Sequence, residues 1–162
     1  MNYEHVGVSL VLVIVANGAP VVIAKILKTS WNTPIDGGRY FVDGKPWLGN
    51  SKTWRGLFVS VITTSLAAAL LNIDWQLGVA IASLAMLGDM AASFCKRRMG
   101  IVVSGRALFL DQFPESLLPL MVFQKSLELS LIEIFTVVFV FTVIDMGLSP
   151  LLYRLRIRKR PY

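Results

Sequence analysis

The chain has 162 residues, 55% of them hydrophobic and only 16% charged, with a mean hydropathy of +0.64 and a formal net charge of +6. Soluble domains run at about 45–50% apolar and about 25% charged, so this composition, with its apolar residues in long blocks, points to a bilayer rather than a large core. The single cysteine, Cys95, excludes an internal disulfide. No Cys/His cluster exists for zinc, and the single histidine, His5, at the N-terminus argues against a Ser-His-Asp triad or a histidine-dependent phosphatase.

Five spans are predicted, at about 5–27, 56–73, 75–95, 106–124 and 129–152, each near the roughly 20 residues needed to cross the hydrocarbon. The first lacks a basic n-region and a convincing cleavage site, and is read as a retained span rather than a signal peptide. It is interrupted by "ANGAP", where Asn17, Gly18 and Pro20 fall together. A buried asparagine needs partners and Pro20 frees a backbone carbonyl, so the motif is either a structural kink or the lid of a polar pocket.

The connection from 28 to 55 is dense in turn formers: Pro34, Gly37, Gly38, Gly44, Pro46 and Gly49. Its end, "GNSKTWRG", offers backbone amides, Ser51 as a cap, and Lys52 and Arg55 on the first turn of the second span, a pattern suited to phosphate. It is not a Walker A loop, because Asn50 and Ser51 separate Gly49 from Lys52.

The third span carries a carboxylate, Asp89, near its end. On a helix Asp89, Ser93, Lys96 and Arg97 share one face, while Arg98 points away. A metal at Asp89 with phosphates laid along the cations is one reading; the other makes Lys96 to Arg98 simple stop charges. The hairpin from 96 to 106 is short, so Asp111 in the fourth span comes to a depth similar to that of Asp89. Paired aspartates are hard oxygen ligands suited to magnesium, which takes one or two carboxylates plus substrate phosphates. Alternatively Asp111 and Glu115 neutralise nearby arginines. The fourth segment also holds Pro114 and Pro119, and is either a broken helix lining a polar cavity or not a full span. Glu133 and Asp145 in the fifth span have no assigned role.

Of the sixteen basic residues, all but Lys25 and Lys125 lie in 28–55, 96–106 or the tail from Arg154 to Arg160. The positive-inside rule therefore puts the N-terminus outside and the long loops and C-terminus in the cytoplasm. The net charge reflects that topology and anionic headgroups, not nucleic acid. The fold expected is an all-α integral membrane protein of about five transmembrane helices. It forms one domain over 1–162, with a cytoplasm-facing polar cavity, in the cell membrane.

"NGAP", "PIDGG" followed by "DGKPWLGNSKTWRG", "GDMAASFCKRRMG" and "LDQ", in this order over nearly the whole chain, resemble the CDP-archaeol synthase family, relatives of the phosphatidate cytidylyltransferases. The resemblance implies that CTP and a lipid phosphate give a CDP-lipid and pyrophosphate with Mg2+. Asp89 and Asp111 would hold the metal and, with Lys96 and Arg97, form the catalytic set. Asn17, Asp36, Lys52, Thr53, Arg55, Ser93 and Gln112, all within the matching motifs, would bind substrate. As the family is known, "LDQ" is usually followed by another aspartate, whereas this chain continues "LDQFPES" and ends in an unusually basic tail. An isoprenyl and an acyl lipid phosphate, and a homo-oligomer, are all compatible with it.

Three other readings compete. An ion path through Asp89 and Asp111 would leave polar residues in the outer half of the spans, where few exist. A CDP-alcohol phosphotransferase would cluster its aspartates closely. A structural membrane protein would tolerate Asp89→Asn or Lys52→Ala.

Overall fold

The computed structural model describes residues 2–103, 105, 107 and 110–154. Arg106 and the tail cations Arg156, Arg158, Lys159 and Arg160, which enter the orientation argument, lie outside the described residues. Five helices follow one another: α1 Tyr3–Leu27, α2 Trp54–Leu70, α3 Trp75–Arg98, α4 Gln112–Val122 and α5 Leu131–Arg154. Only isolated bridges, Pro34 with Thr53 and Tyr40 with Pro46, pair extended backbone among the described residues.

Three helices, α1, α3 and α5 (over Leu131–Pro150), are long and apolar enough to cross a membrane, and the 17-residue α2 is shorter. Of the fourth predicted segment, 106–124, the described residues hold the helix α4. At 11 residues α4 reaches only about 16 Å, about half the ~30 Å hydrocarbon. Pro114 stands in the first turn of this helix, where its missing N–H costs no helical hydrogen bond, in keeping with a start at Gln112.

The first span is not interrupted. The helix runs through "ANGAP" without a break. Pro20 has no N–H to bond Ala16 O, and Ser60 Oγ of α2 donates to that carbonyl instead at 2.7 Å. Asn17 Nδ2 turns back to Val13 O at 3.0 Å. The motif is a helix–helix contact whose freed acceptor is satisfied from outside.

Helix α1 packs against all four others, α2 and α3 pack on each other, and α4 lies between α3 and α5. Leu12 and Val13 of α1, Ala68, Ile81 and Leu120, and Ile134, Val137, Val138 and Phe141 of α5 form one buried cluster. Ala16, Ala82 and Ala85 form a second, where α1 and α3 approach closely. The outward rows are apolar as well: Phe58, Ile62, Leu66 and Leu70 on α2, and Ile132, Phe135, Phe139 and Val143 on α5, are all more than half exposed. Such rows suit lipid, since soluble monomers rarely expose large contiguous apolar patches.

The two polar residues of α5 without a sequence-based role find one. Ser130 and Glu133 form a capping box: Glu133 Oε2 accepts from Ser130 N at 2.8 Å and Ser130 Oγ accepts from Glu133 N at 3.4 Å. Glu133 Oε1 also accepts from Asn2 N, tying the start of α1 to the start of α5. Asp145 accepts from Gln112 Nε2 at 3.2 Å, linking α5 to α4.

Candidate functional site

The charged residues gather where α3 ends, α4 begins and the 28–53 loop returns. Asp36 organises that loop: Oδ1 accepts from Gly38 N at 3.0 Å, and Oδ2 from Leu48 N at 3.0 Å and Gly49 N at 2.9 Å. Burial opposes ionisation of this carboxyl, but the hydrogen bonds from Gly49, Leu48 and Gly38 outweigh it and hold its pKa below the usual 3.8. Gly49 has a φ of +92°, and a Cβ there would lie 2.8 Å from Val103 Cγ2. Only glycine passes this point.

Arg98 clamps the loop to α3. Its Nη1 donates to Asp43 Oδ1 at 2.9 Å, its Nη2 donates to Pro46 O at 2.6 Å, and the guanidinium lies 4.8 Å from the ring centres of both Phe41 and Phe94. Lys45 Nζ returns a hydrogen bond to Arg98 O at 2.8 Å, capping the end of α3.

This anchoring brings Lys52 to α3. Lys52 lies just ahead of α2, not on its first turn, and Ser51 is not the cap. Thr53 takes that place, with extended backbone (φ −125°, ψ 148°) and Oγ1 accepting from Gly56 N at 3.4 Å. Lys52 Nζ stands 2.5 Å from Asp89 Oδ2, both about four-fifths buried. A second pair repeats the arrangement: Lys96 Nζ is 2.5 Å from Asp111 Oδ1 and also donates to Gly105 O at 3.2 Å. Each aspartate thus holds one lysine.

Arg97 is almost wholly buried. Its Nη2 donates to Val102 O at 2.9 Å, while Nε and Nη1 have no hydrogen-bond partner among the described residues. Nη1 faces Gly49, 3.7 Å from where a Cβ would be, and Asp111 is within electrostatic reach. Ser93 is buried one turn earlier on α3. A buried guanidinium with unspent donors beside a glycine turn is a ready receptor for phosphate.

The remaining predicted residues have structural partners. Arg55 Nη1 donates to Lys28 O at 2.8 Å and to Ser30 O, closing the end of α1. Gln112 is buried against Asp145, with its Oε1 unpartnered among the described residues. Asn17 lies on α1, and its Oδ1 has no hydrogen-bond partner among the described residues.

Two residues escaped sequence reasoning. Gly88 of α3 meets the backbone of α4 directly, since a Cβ there would come within 2.2 Å of Pro114 O and 3.0 Å of Glu115 N. That contact sets Glu115, read from sequence only as a neutraliser of arginines, beside the site. It lies within electrostatic reach of Asp89, Lys52, Asp145 and Asp111, and no hydrogen bond or ion pair holds its carboxylate among the described residues. The glycine preceding Asp89 was the available signal.

A cavity of about 500 Å3 opens beside this centre, lined by Ile35, Asp36, Gly37, Arg39, Trp47 and Leu48. It lies in the loop between α1 and α2, not in the bundle between Asp89 and Asp111.

Three helices long and apolar enough to cross a membrane, with a charged centre at one end of the bundle, define an all-helical protein of the membrane-spanning class. The family model for CDP-archaeol synthase (CarS-like) matches residues 8–162. A CDP-archaeol synthase of Hyperthermus butylicus is 47% identical over 103 residues, covering 60% of this chain and 58% of that protein. That of Sulfurisphaera tokodaii is 37% identical over 155 residues, covering 92% and 90%. A solved structure of an intramembrane enzyme for archaeal membrane lipid biosynthesis superposes with a TM-score of 0.73 at 29% identity, covering 86% of this chain and 89% of that one. The chain belongs to the CDP-archaeol synthase family and is a membrane lipid cytidylyltransferase.

Proposed function

We propose that the chain transfers CMP from CTP to a membrane lipid phosphate, an archaetidic- or phosphatidic-acid-like diether or diacyl phosphate, giving a CDP-lipid and pyrophosphate. The observation that carries this reading is the doubled ion pair. Two aspartates, Asp89 on α3 and Asp111 at the N-cap position of α4, each hold a lysine at 2.5 Å, beside a buried arginine with unspent donors among the described residues. That is a site built to exchange charge partners when a polyanion and a cation arrive together. The site faces the cytoplasm of a multi-pass protein in the cell membrane, with the N-terminus outside, as the distribution of Lys and Arg supports.

The residues present fit a divalent cation. Among the described residues no three acidic, histidine or cysteine side chains converge into a complete cage, but Mg2+ asks for only one or two carboxylates, with phosphates and waters filling the rest. Asp89 and Asp111 would hold it, and when bound it would neutralise the triphosphate and polarise the phosphorus under attack.

The chain's own residues do the remainder. Lys52, Lys96 and Arg97 take the triphosphate oxygens and the charge that grows on the leaving pyrophosphate. An oxygen of the lipid phosphate attacks the α-phosphorus, the α–β bridging bond breaks, and pyrophosphate departs. The nucleophile is already an anion, so no general base is required, and positioning with charge neutralisation carries the reaction. The apolar rows on α2 and α5 let the lipid chains remain in the leaflet while the headgroup reacts.

The test is an assay in detergent with labelled CTP, Mg2+ and a panel of diether and diacyl lipid phosphates. Label entering the lipid phase with Mg2+, and not after chelation or in Asp89→Asn, is the expected result. No labelled lipid from any substrate defeats the reading.

A further inference from the structure

The loop between α1 and α2 contains a hairpin, residues 39–47, whose outer face has no part in the chemistry above. Phe41 N donates to Lys45 O at 2.8 Å, Gly44 N to Phe41 O at 3.0 Å and Trp47 N to Arg39 O at 3.1 Å. Successive residues of extended backbone point to opposite faces, and here the two faces differ. Phe41 and Trp47 pack edge-on against Phe94 of α3, with ring centres 5.5 and 6.2 Å from it. Tyr40 and Val42, between them in the alternation, are 68% and 94% exposed. This is not a loose tip, since Arg98 holds Asp43 Oδ1 and Pro46 O. Met99, the residue after Arg98, is 67% exposed at the same end of α3. Fixed apolar side chains turned outward mark a contact surface.

The position of the hairpin says what covers it. Leu87, Ala91, Phe94 and Arg98 stand at i, i+4, i+7 and i+11, one row of α3. Leu87 is 52% exposed and Ala91 is exposed, whereas Ser93, Lys96 and Arg97 are buried. The hairpin therefore lies beside the bundle, on the flank that faces lipid further along the helix, and not across the bundle's end. Its depth follows from length. Helix α3 has 24 residues, about 36 Å, against about 30 Å of hydrocarbon. Counted from Trp75, the hydrocarbon ends about 20 residues on, beside Phe94. The hairpin thus stands where acyl chains give way to headgroups. Its charge suits that level: Arg39, Lys45 and Arg98 stand against one carboxylate, Asp43, leaving two net positive charges. Tyrosine among cations is the composition of interfacial anchors.

We propose that the hairpin docks on the anionic surface of the membrane that holds the protein, with Tyr40 and Val42 set among the headgroups and the cations attracted to lipid phosphates. Lys52 rides on the same loop, so this contact fixes the loop's height at the level where a lipid phosphate lies.

The experiment uses the full chain with Cys95→Ser and Val42→Cys, the new thiol carrying an uncharged, environment-sensitive fluorophore. The protein is placed in nanodiscs of phosphatidylcholine alone and of phosphatidylcholine with phosphatidylglycerol. Leu66→Cys, on the outward row of α2, is the lipid-exposed reference. The Val42 probe is expected to emit to the blue of its value in water, to be quenched by a nitroxide at shallow depth on the lipid, and to be protected from aqueous acrylamide. Nitroxide quenching should rise in the anionic discs and fall back at about 1 M salt, two net charges moving the in–out equilibrium of the tip on the order of 30-fold. The Leu66 probe should respond alike in both discs and at both salt concentrations. A Val42 probe open to acrylamide and untouched by the nitroxide stands in water and overturns the proposal. A probe shielded from both quenchers is covered by protein, a second copy or a partner, and overturns it too. Equal nitroxide quenching in the two membranes overturns the anionic assignment.

Discussion

Gly88→Ala concentrates the account into one methyl group. The new Cβ would stand 2.2 Å from Pro114 O and 2.5 Å from Pro114 C, where ordinary contact begins at 3.4 Å. The neighbour is backbone rather than a flexible side chain, so α3 and α4 must part by about 1 Å. Overpacking of this kind costs about 1–3 kcal/mol, offset by the roughly 0.5–1 kcal/mol that alanine gains over glycine inside a helix. Stability should therefore fall by about 0.5–2 kcal/mol, a drop of a few degrees in Tm. Activity should fall much further. The start of α4 carries Asp111 and Glu115, and a displacement of about 1 Å in a charged site can cost on the order of 100-fold. Thermal unfolding in detergent and the rate of CDP-lipid formation measure the two effects. Gly7→Ala is the control, since a Cβ there meets nothing within 4 Å; it should be neutral or slightly stabilising and fully active. A Gly88→Ala protein as stable and as fast as the parent would refute the close α3–α4 contact and its role in setting the site.

Other consequences are equally concrete. Lys52→Ala removes the ammonium from Asp89, so Mn2+ binding without nucleotide, read by paramagnetic resonance, should tighten several-fold while turnover is lost; unchanged or weaker Mn2+ binding counts against the exchange of charge partners. Ser60→Ala strands the carbonyl that Pro20 frees, and should cost about 0.5–2 kcal/mol in thermal unfolding with activity largely kept. Asp36→Asn should loosen the 28–53 loop by about 1–3 kcal/mol at pH 7, seen as faster proteolysis there. Because the folded pKa of Asp36 lies below 3.8, its contribution is complete above that value and fades as pH falls through the folded pKa. The gap between parent and variant should accordingly close only in strong acid.

The bundle was legible because its signals are local. Apolar runs marked α1, α2, α3 and α5, and helical spacing put Asp89, Ser93, Lys96 and Arg97 along one end of α3. For the fourth segment the sequence left a broken helix and a partial span open, and Pro114, whose missing N–H suits a first turn, is the residue that marks the shorter helix from Gln112. Ser-x-x-Glu at Ser130–Glu133 is a capping box in plain sequence, although the sequence reading places Glu133 in the span and gives it no role. The lysine pairs were a different matter. Which lysine meets which aspartate depends on Arg98 docking the loop and on Gly88 admitting α4, contacts far apart in the chain. Asp36, drawn from a motif as a substrate ligand, has its oxygens taken by three amides of its own loop, and only the folded backbone reveals that.

The most direct measurement of the central claim follows phosphorus from the two ends of CTP. Purified protein in detergent, with Mg2+ and a lipid phosphate, is given CTP labelled on the α-phosphate in one reaction and on the γ-phosphate in another. Cytidylyl transfer at the Asp89–Asp111 site predicts α-label in the lipid and γ-label in soluble pyrophosphate, both abolished in Asp89→Asn. Label from the γ-phosphate in the lipid, or transfer that survives Asp89→Asn, would contradict it.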